Sequence, residues 1–363
     1  MINRDRLVDN FINLCRVHGE SRGESKTATA VEKLIKKIEL TVEYEHVEHN
    51  FNGDTPNLIV RVNGDIKGPT IMLSSHTDTV ITGGEVDPII DGDYIRSSGN
   101  TILGADDKAG ITAIIEAIET AKEKDIPHYP LLLVFTAAEE VGLLGARYSK
   151  IGKGDADFGV VLDTGGPIGT IVNEAPFHDA YKIKVRGKSS HAGIDPESGI
   201  NAIKIAAEII SKLPTGRVDE KTTSNIARIR GGVADNIVPE LVTINGEIRS
   251  TSKERLENLL AEFNSIIDEY ESATFISERE YNGYHIDENS RVITELKRAA
   301  TAIGATPRII ATGGGADANF FNERGLPTSV ISCGMAKVHT HNEEIKIDDL
   351  IGASEMILAL ITK

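Results

Sequence analysis

The sequence predicts an α/β protein: a mostly parallel sheet whose chain is interrupted by a smaller α+β domain. The first observation is that apolar runs of strand length alternate with helical patterns, which is typical of a parallel sheet covered on both faces. The second is a middle stretch whose strands alternate apolar and polar residues, as strands with one solvent-facing side do. The third is the length of 363 residues, which favours two domains over one.

Four apolar segments of the first part have the length of buried strands. They are NLIVRV (57–62), TIMLSS (70–75), PLLLVFTA (130–137) and FGVVLDT (158–164). Between the second and third, AGITAIIEAIETAKEK has isoleucines at helical spacing and predicts an amphipathic helix. Ligands of such sheets gather beyond the carboxyl ends of the strands, so the residues that follow each strand are the first candidates for a site.

The inserted domain is predicted over residues 177–283. AYKIKVRG (180–187) is an alternating strand, followed by a helix in GINAIKIAAEIISKL, strands in SNIARIRGG and LVTINGEIRS, and a helix through KERLENLLAEFNSIIDEYESA. The first pattern returns near Tyr284 with a helix in SRVITELKRAATAIG, a strand in TSVISC and a helix in DDLIGASEMILALITK. Residues 1–176 and 284–363 are therefore predicted to form the first and second parts of one catalytic domain.

Composition excludes several classes of partner and compartment. The net charge of −16 repels phosphate backbones, so we expect no nucleic-acid partner. Cys15 and Cys333 are too few for a disulfide framework or a cysteine-rich zinc site and fit a reducing compartment. The N-terminal MINRDRLVDNFINLCRV is typical of an amphipathic helix and not of a signal peptide. With no apolar run of about 18 residues, we expect a cytoplasmic protein without a membrane partner.

Histidines and acidic residues follow the ends of the predicted strands. They are His76, Asp78, Asp106, Asp107, Glu139, Glu140 and Asp163, with His339 and His341 late in the chain. Each has an ordinary structural explanation in isolation, such as a helix N-cap for Asp106 or a turn for Asp163. Together, carboxylates that converge beyond buried strands repel one another and require positive charge. Histidines and carboxylates without cysteine suit a pair of divalent metals of the zinc, manganese or cobalt kind.

A two-metal site needs a bridging carboxylate and also a base that is not a ligand. The adjacent pair Glu139-Glu140 offers one carboxylate of each kind. Asp78 lies two residues after His76, on the same face of a strand, where it can orient the histidine through its second ring nitrogen.

Eight motifs in order resemble one known family over nearly the whole chain. They are SSHTDTV, GADDKAG, AAEEVGLLGA, LDTGG, RGKSSHAG with GINAI, GGVADNIVPE with GEIRS, GGGADANFF and HTHNEE. The chain is similar to the dinuclear-zinc exopeptidases and amidohydrolases that include peptidase T, carboxypeptidase G, aminoacylase and acetylornithine deacetylase. LGADDKAGI, SHAGIDPESGINAI and GGGADAN look most like the peptidase T branch, the tripeptide aminopeptidases.

The resemblance implies roles for the residues beyond the strands. The implied metal ligands are Asp106 as the bridge, His76 and Asp163 on one metal, and Glu140 and His339 on the other. His339 is preferred to His341 because the family histidine lies four residues before a glutamate, here Glu343. The resemblance further implies Glu139 as the general base, Asp78 behind His76, and a cis peptide bond at Asp106-Asp107.

The inserted domain resembles the lid or dimerisation domain of that family, which implies a homodimer. His191 would reach an active site, often that of the partner subunit, and stabilise an oxyanion, although a polar turn is the structural alternative. Asn236 and Arg249 would hold the carboxylate or oxyanion of the substrate, with a strand-edge salt bridge as the alternative for Arg249. Gly315 ends a glycine run that is either a flexible turn or a point of close approach to substrate.

The predicted activity is hydrolysis of short peptides by a two-metal exopeptidase that releases the N-terminal residue of tripeptides. The alternative is carboxypeptidase or N-acyl-amino-acid deacylase action at the same site, and a requirement for a free α-amino group separates the two. A phosphate loop at RGKSS is rejected because Lys182 stands where that motif needs glycine. A non-catalytic metal-stabilised scaffold is disfavoured because every ligand and the base are present.

Overall fold

The computed structural model describes residues 2–363, and they divide into two compact units. The first unit runs to Asn173 and resumes over His285–Ala311 and Ala316–Lys363. The second comprises Glu174–Tyr284 together with Thr312–Gly315. The predicted insert, 177–283, lies inside the second unit. The short segment Thr312–Gly315 was predicted with the other domain, but the Thr312 amide donates to the Glu174 carbonyl at 2.9 Å.

The helices and strands are numbered in chain order. The α-helices are α1 Arg4–Cys15, α2 Ser25–Lys37, α3 Ala105–Glu123, α4 Leu144–Tyr148, α5 Ala202–Lys212, α6 Lys253–Asp268, α7 Arg291–Ala302, α8 Ala318–Glu323 and α9 Ile347–Ile361. The first nine strands are β1 Glu43–Glu45, β2 Asn57–Val62, β3 Ile71–His76, β4 Pro88–Asp91, β5 Tyr94–Ser97, β6 Leu131–Thr136, β7 Phe158–Thr164, β8 Thr170–Ala175 and β9 Phe177–Arg186. The remaining strands are β10 Gly216–Asp219, β11 Thr222–Gly231, β12 Leu241–Ser250, β13 Ala273–Tyr281, β14 Tyr284–His285, β15 Arg308–Ala311, β16 Thr328–Ser332, β17 Met335–Ala336 and β18 Glu344–Lys346.

The main sheet is mixed, with a parallel centre. Its order is β1-β2-β6-β3-β7-β16-β8-β14, with β15 on β8. β6, β3, β7 and β16 run parallel, whereas β2 and β8 pair antiparallel at the flanks of this centre. Every residue of β3 and β6 is buried, which explains their continuous apolar runs. The fold is thus a mixed α/β fold, less uniformly parallel than the sequence suggested.

The helix α3 differs from its predicted amphipathic form because it is buried on all sides. It contacts β3 and β7 of the sheet and the helices α1 and α9. Its polar positions Glu116 and Glu119 are buried as well, and both pair with Arg6 of α1. A central helix covered by other helices has no solvent face, so its few polar residues must find partners inside the protein.

The second unit is an antiparallel sheet with two helices. Its strand order is β10-β11-β12-β9-β13. Tyr181, Ile183 and Val185 of β9 are buried in one apolar cluster with residues of α5 and α6, whereas Lys182 and Lys184 point to solvent. The alternation seen in the sequence therefore marks the covered face. The edge strands β10 and β13 were not predicted, because nearly all of their residues are exposed or half-buried and give little apolar pattern.

Among residues 2–363, every helix is too short or too polar to traverse a lipid bilayer.

Candidate metal centre

Three adjacent strands of the first unit deliver side chains to one edge of the sheet. β3 is the parallel neighbour of both β6 and β7, so the carboxyl ends of all three lie together. His76 is the last residue of β3, and Asp163 is the next-to-last residue of β7. Glu139 and Glu140 follow β6 after two alanines. The order of the sheet therefore brings together groups that are far apart in sequence.

Asp106 lies between two histidines. Its Oδ1 is 3.1 Å from His76 Nε2, and its Oδ2 is 3.2 Å from His339 Nε2. His339 Nε2 is also 2.9 Å from Glu140 Oε1. The two oxygens of one carboxylate thus face two different imidazoles, which is the arrangement required of a group that bridges two metals.

Two sets of donor atoms are close enough to share a cation. His76, Asp106 and Glu140 offer atoms within 4.8 Å of one another, and so do His76, Glu139 and Asp163. His76 and Glu139 are buried, and Asp163 is half-buried. Burial, followed by the neighbouring carboxylates, raises the pKa of Asp163 well above its usual range, and burial does the same for Glu139. The protein alone therefore does not neutralise this concentration of acid.

The pKa values of the two histidines are raised as well, which favours the charged form of an imidazole. Hydrogen bonds with Asp106 and Glu140 raise the pKa of His339 to about 10. Burial lowers the pKa of His76, but hydrogen bonds with Asp106 and Asp78 outweigh it and raise it well above its usual range. The nearby carboxylates thus favour the protonated form of both imidazoles.

Asp78 is fixed by four partners. Its Oδ1 is 3.3 Å from His76 Nδ1 and accepts the Glu139 amide at 2.9 Å. Its Oδ2 accepts the Ser21 hydroxyl at 2.6 Å and the Glu140 amide at 3.2 Å. Burial raises the pKa of Asp78, but the bond with His76 and the other donors lower it below its usual range. His76 Nδ1 is also 3.0 Å from the Asp78 backbone carbonyl, so Asp78 faces the histidine with two oxygens, while its carboxylate holds the backbone of both adjacent glutamates.

Asp106 and Asp107 are joined by a cis peptide bond, as expected, and their side chains have different surroundings. The Asp107 Oδ2 accepts the Ser75 hydroxyl at 2.5 Å, and its Oδ1 accepts the Gly110 amide at 3.2 Å. Asp107 is fully buried beside β3 and supports the start of α3. Of the two aspartates, Asp106 alone contacts the histidines of the site.

Glu343 has a role that the sequence analysis used only as a spacing marker. Its Oε2 accepts the amides of Leu103 and Gly104 at 2.8 and 2.7 Å, and its Oε1 accepts the Asp106 amide at 3.1 Å. The loop that presents Asp106 is therefore held by a residue from the end of the chain. His341 points elsewhere, since its Nε2 lies 3.8 Å from the place of a β-carbon on Gly83.

Asp317 is a buried acid near the site that sequence reasoning did not single out. It is 1% exposed, and its Oδ2 accepts the Thr136 hydroxyl, which belongs to the last residue of β6. Its Oδ1 has no hydrogen-bond partner among residues 2–363. Burial raises the pKa of Asp317 to about 6. Its place in the GGGADANFF motif was the signal that could have identified it.

The second unit carries the four other predicted residues. His191 and Asn236 are exposed and lie on neighbouring segments, because the Ala192 amide donates to the Asn236 carbonyl at 2.9 Å. Arg249 is half-buried and pairs with Glu247 at 3.1 Å. A β-carbon on Gly315 would lie 2.3 Å from the Tyr281 ring, so ring packing explains the glycine there. The salt bridge foreseen as an alternative for Arg249 is present.

The donor set fits a pair of divalent cations. It consists of two imidazoles and four carboxylates, without thiolate, at the end of a buried sheet. The raised pKa values of Asp163 and Glu139 show that the pocket needs positive charge to hold its acids ionised. A centre for two divalent metals satisfies that need, and this mix of ligands suits zinc and its neighbours in the first transition row.

Comparison with known proteins agrees with this geometry. Residues 72–363 match the model of peptidase family M20/M25/M40. The chain is 35% identical to the uncharacterized Bacillus subtilis protein YqjE over 99% of both chains. It resembles the crystal structure of aminopeptidase PepT from Bacillus cereus with a TM-score of 0.90 and 37% identity, covering 99% of this chain and 98% of that one. A tripeptidase from Staphylococcus aureus gives a TM-score of 0.93 and 35% identity with the same coverage.

The match includes every strand end that builds the site, and it extends through the second unit. The chain therefore belongs to peptidase family M20/M25/M40, and it is a peptidase T-like metallopeptidase.

Proposed function

We propose that this enzyme removes the N-terminal residue from tripeptides at a centre of two divalent metals. The observation that carries the proposal is its likeness, over 99% of the chain, to a PepT aminopeptidase and to a tripeptidase, at 37% and 35% identity. The alternative of carboxypeptidase or deacylase action uses the same metal centre, and the comparisons do not favour it.

The ligand assignment follows the contacts around Asp106. Asp106 would bridge the metals, His76 and Asp163 would bind one, and Glu140 and His339 the other. Zinc is the proposed metal, with manganese and cobalt as alternatives, because imidazole and carboxylate ligands suit all three. When bound, such a pair supplies Lewis acidity and lowers the pKa of a water towards 7.

Glu139 is the proposed general base. Its amide is fixed by Asp78, and its carboxylate lies with those of the ligands without being needed as one. It would take the proton from the attacking water and return it to the departing amine, the usual cycle for a positioned carboxylate. His191 would donate to the oxyanion that develops on the scissile carbonyl. Arg249 and Asn236 would hold the carboxylate of the substrate, and the Gly315 backbone would line its path.

We further propose that the enzyme acts as a homodimer through the second unit. Large apolar side chains near His191 are exposed there, among them Ile194 at 79% and Val233 at 85%. The segments that carry them are joined by hydrogen bonds from the Ala192 amide to the Asn236 carbonyl and from the Val238 amide to the Ser190 carbonyl, each at 2.9 Å. An exposed apolar surface beside a predicted catalytic histidine is suited to contact with a second subunit.

The decisive experiment measures metal content together with hydrolysis of Ala-Ala-Ala, its N-acetyl form and N-acetyl amino acids. Two metals per chain and cleavage of the free tripeptide alone would support the proposal. Two metals with cleavage of acylated substrates alone would replace the activity with deacylase or carboxypeptidase action. If no metal binds after addition of zinc, manganese or cobalt, the proposed centre is wrong.

A further inference from the structure

The turn that carries Glu139 and Glu140 is held by side chains in place of a neighbouring strand. β6 ends at Thr136, and the next four amides continue beyond its hydrogen-bonded ladder. The Ala137 amide donates to Asn57 Oδ1 at 3.0 Å, and the Ala138 amide donates to Glu24 Oε1 at 2.8 Å. Asp78 accepts the next two. Four consecutive amides thus end on three side chains, each from a different element.

The two acceptors other than Asp78 are buried and lie at the start of a helix and of a strand. Glu24 and Asn57 are both 0% exposed. Glu24 is the residue before α2, and Asn57 is the first residue of β2. Both precede residue 72, where the family match begins. A buried polar side chain destabilises the folded state unless it is hydrogen-bonded, so two of them at the turn that carries Glu139 indicate a structural role there.

The turn combines these side-chain acceptors with backbone bonds of its own, from the Leu144 amide to the Ala138 carbonyl at 3.0 Å and from the Gly145 amide to the Ala137 carbonyl at 2.8 Å. Ala138 has a φ of 51°, in the left-handed region that a residue with a β-carbon adopts only when its surroundings enforce it. Asn57 also binds the far end of the turn, because its Nδ2 donates to the Gly145 carbonyl at 3.0 Å. A β-carbon on Gly145 would lie 2.6 Å from Asn57 Oδ1, so the two residues are in direct contact.

We propose that Glu24 and Asn57 are positioning residues, which fix the left-handed turn at Ala138 and thereby aim the carboxylates of Glu139 and Glu140. The inference rests on the assignment of Glu139 as the base in the function proposed above. Loss of either acceptor frees an amide within two residues of Glu139 and lets the turn relax. A shift of about 1 Å in a reacting group can reduce the rate about 100-fold, so the effect should appear in kcat.

The test compares Glu24→Met, Glu24→Gln and Asn57→Ala with the wild type. Methionine keeps the approximate volume of Glu24 without its acceptor, whereas glutamine keeps the acceptor. Burial, followed by Asp78, raises the pKa of Glu24 to about 8, so the neutral amide also matches its charge at pH 7. We expect kcat to fall roughly 10- to 100-fold in Glu24→Met and Asn57→Ala, with KM within about twofold. Glu24→Gln should keep wild-type kcat.

Asn322→Ala is the matched control. The Asn322 Oδ1 accepts the Thr328 amide at 3.1 Å, and its Nδ2 donates to two carbonyls. Asn322 thus holds the start of β16, the end of that strand away from the candidate site. It should lower the thermal midpoint much as Asn57→Ala does, with kcat within about twofold of the wild type. Equal losses of kcat in Asn57→Ala and Asn322→Ala would overturn the positioning role.

Hydrogen exchange gives a readout that needs no substrate. In Glu24→Met, faster exchange should be confined to a peptide that contains Ala137–Glu140, and in Glu24→Gln this peptide should exchange as in the wild type. Unchanged exchange there in Glu24→Met and Asn57→Ala would refute the inference, whatever the substrate proves to be. Conversely, if the wild type fails to cleave tripeptides but exchange responds as expected, the proposed function fails while the positioning role stands.

Discussion

The proposed site residues of the two units differ in how completely the protein has built their surroundings. In the first unit, Asp78 has four partners, and Asp106 contacts two histidines. In the second, His191 is exposed, and its Nδ1 accepts a hydrogen bond from the Gly193 amide at 3.2 Å. The residues proposed to bind metal and to move protons are held by neighbouring groups in the folded chain, whereas the proposed oxyanion donor of the second unit is exposed.

The largest effect is expected from removal of the proposed general base in the first unit. Glu139→Gln should retain bound metal, since the ligands remain, and should lower kcat about 10²- to 10⁴-fold because no group accepts the proton from water. Metal analysis and steady-state kinetics measure the two effects. The control is Glu140→Gln, which should lose metal as well as rate. Near wild-type turnover in Glu139→Gln would assign the base elsewhere.

The second-largest effect is expected for the exposed His191 in the second unit. His191→Ala should lower kcat about 10²-fold, in the range for removal of an oxyanion donor, without changing the metal content. Because His191 is exposed, the thermal midpoint should stay within about 1 °C of the wild type, as for most surface substitutions. His49→Ala, another exposed histidine, serves as the control. Loss of metal in His191→Ala would place this histidine among the ligands.

A smaller effect on metal affinity is expected for Asp78 in the first unit. Asp78→Asn should weaken metal binding or activity about 10- to 100-fold, because His76 loses the carboxylate that orients it. Competition with a chelator measures the affinity, and Asp54→Asn, a change at the surface, should leave it unaltered. Asp78→Asn should also destabilise the fold, since each of the two buried carboxylate oxygens accepts a backbone amide and asparagine retains only one such oxygen. Wild-type metal affinity in this variant would mean that His76 is oriented by its other contacts.

The smallest effect concerns the contact of Arg249 with Glu247. A hydrogen bond with His178 and the guanidinium of Arg249 lower the pKa of Glu247 to about 2. A lowered pKa in the folded state stabilises the protein above the unfolded value of about 4.3, and this contribution disappears as the pH falls towards 2. Glu247→Gln should thus lower the thermal midpoint at pH 7 by more than at pH 3. A difference from the wild type that is constant with pH would contradict the ion pair.

Much of the fold was predictable from sequence because burial leaves a pattern. β2 and β7 have the predicted bounds, and β3 and β6 differ by one residue at each end, because fully buried strands have continuous apolar runs. The antiparallel flanks of the main sheet were not predicted, since strand direction depends on connections and not on apolar pattern. The edge strand β10 was missed because it is short and largely polar.

The candidate site was predictable only where it follows a motif. His76, Asp106, Glu140 and His339 stand at strand or loop ends with recognisable neighbours, and the structure brings them together. Glu24 is 114 residues from the amide that it holds, and Asn57 is 80 residues from its partner. Such single long-range bonds leave no periodicity or spacing in the sequence, so only the folded structure reveals them.

The hydrogen bonds that Glu343 accepts from the loop 103–106 have a consequence for biosynthesis. The donors of this centre come from both sides of the second unit in the chain, and His339 and Glu343 are translated long after Asp106. A nascent chain that has already folded its first strands therefore holds an incomplete ligand set and a loop without its acceptor. Metal loading in the cell should accordingly follow release from the ribosome, and a chain truncated before residue 339 should emerge as a protein with no catalytic centre.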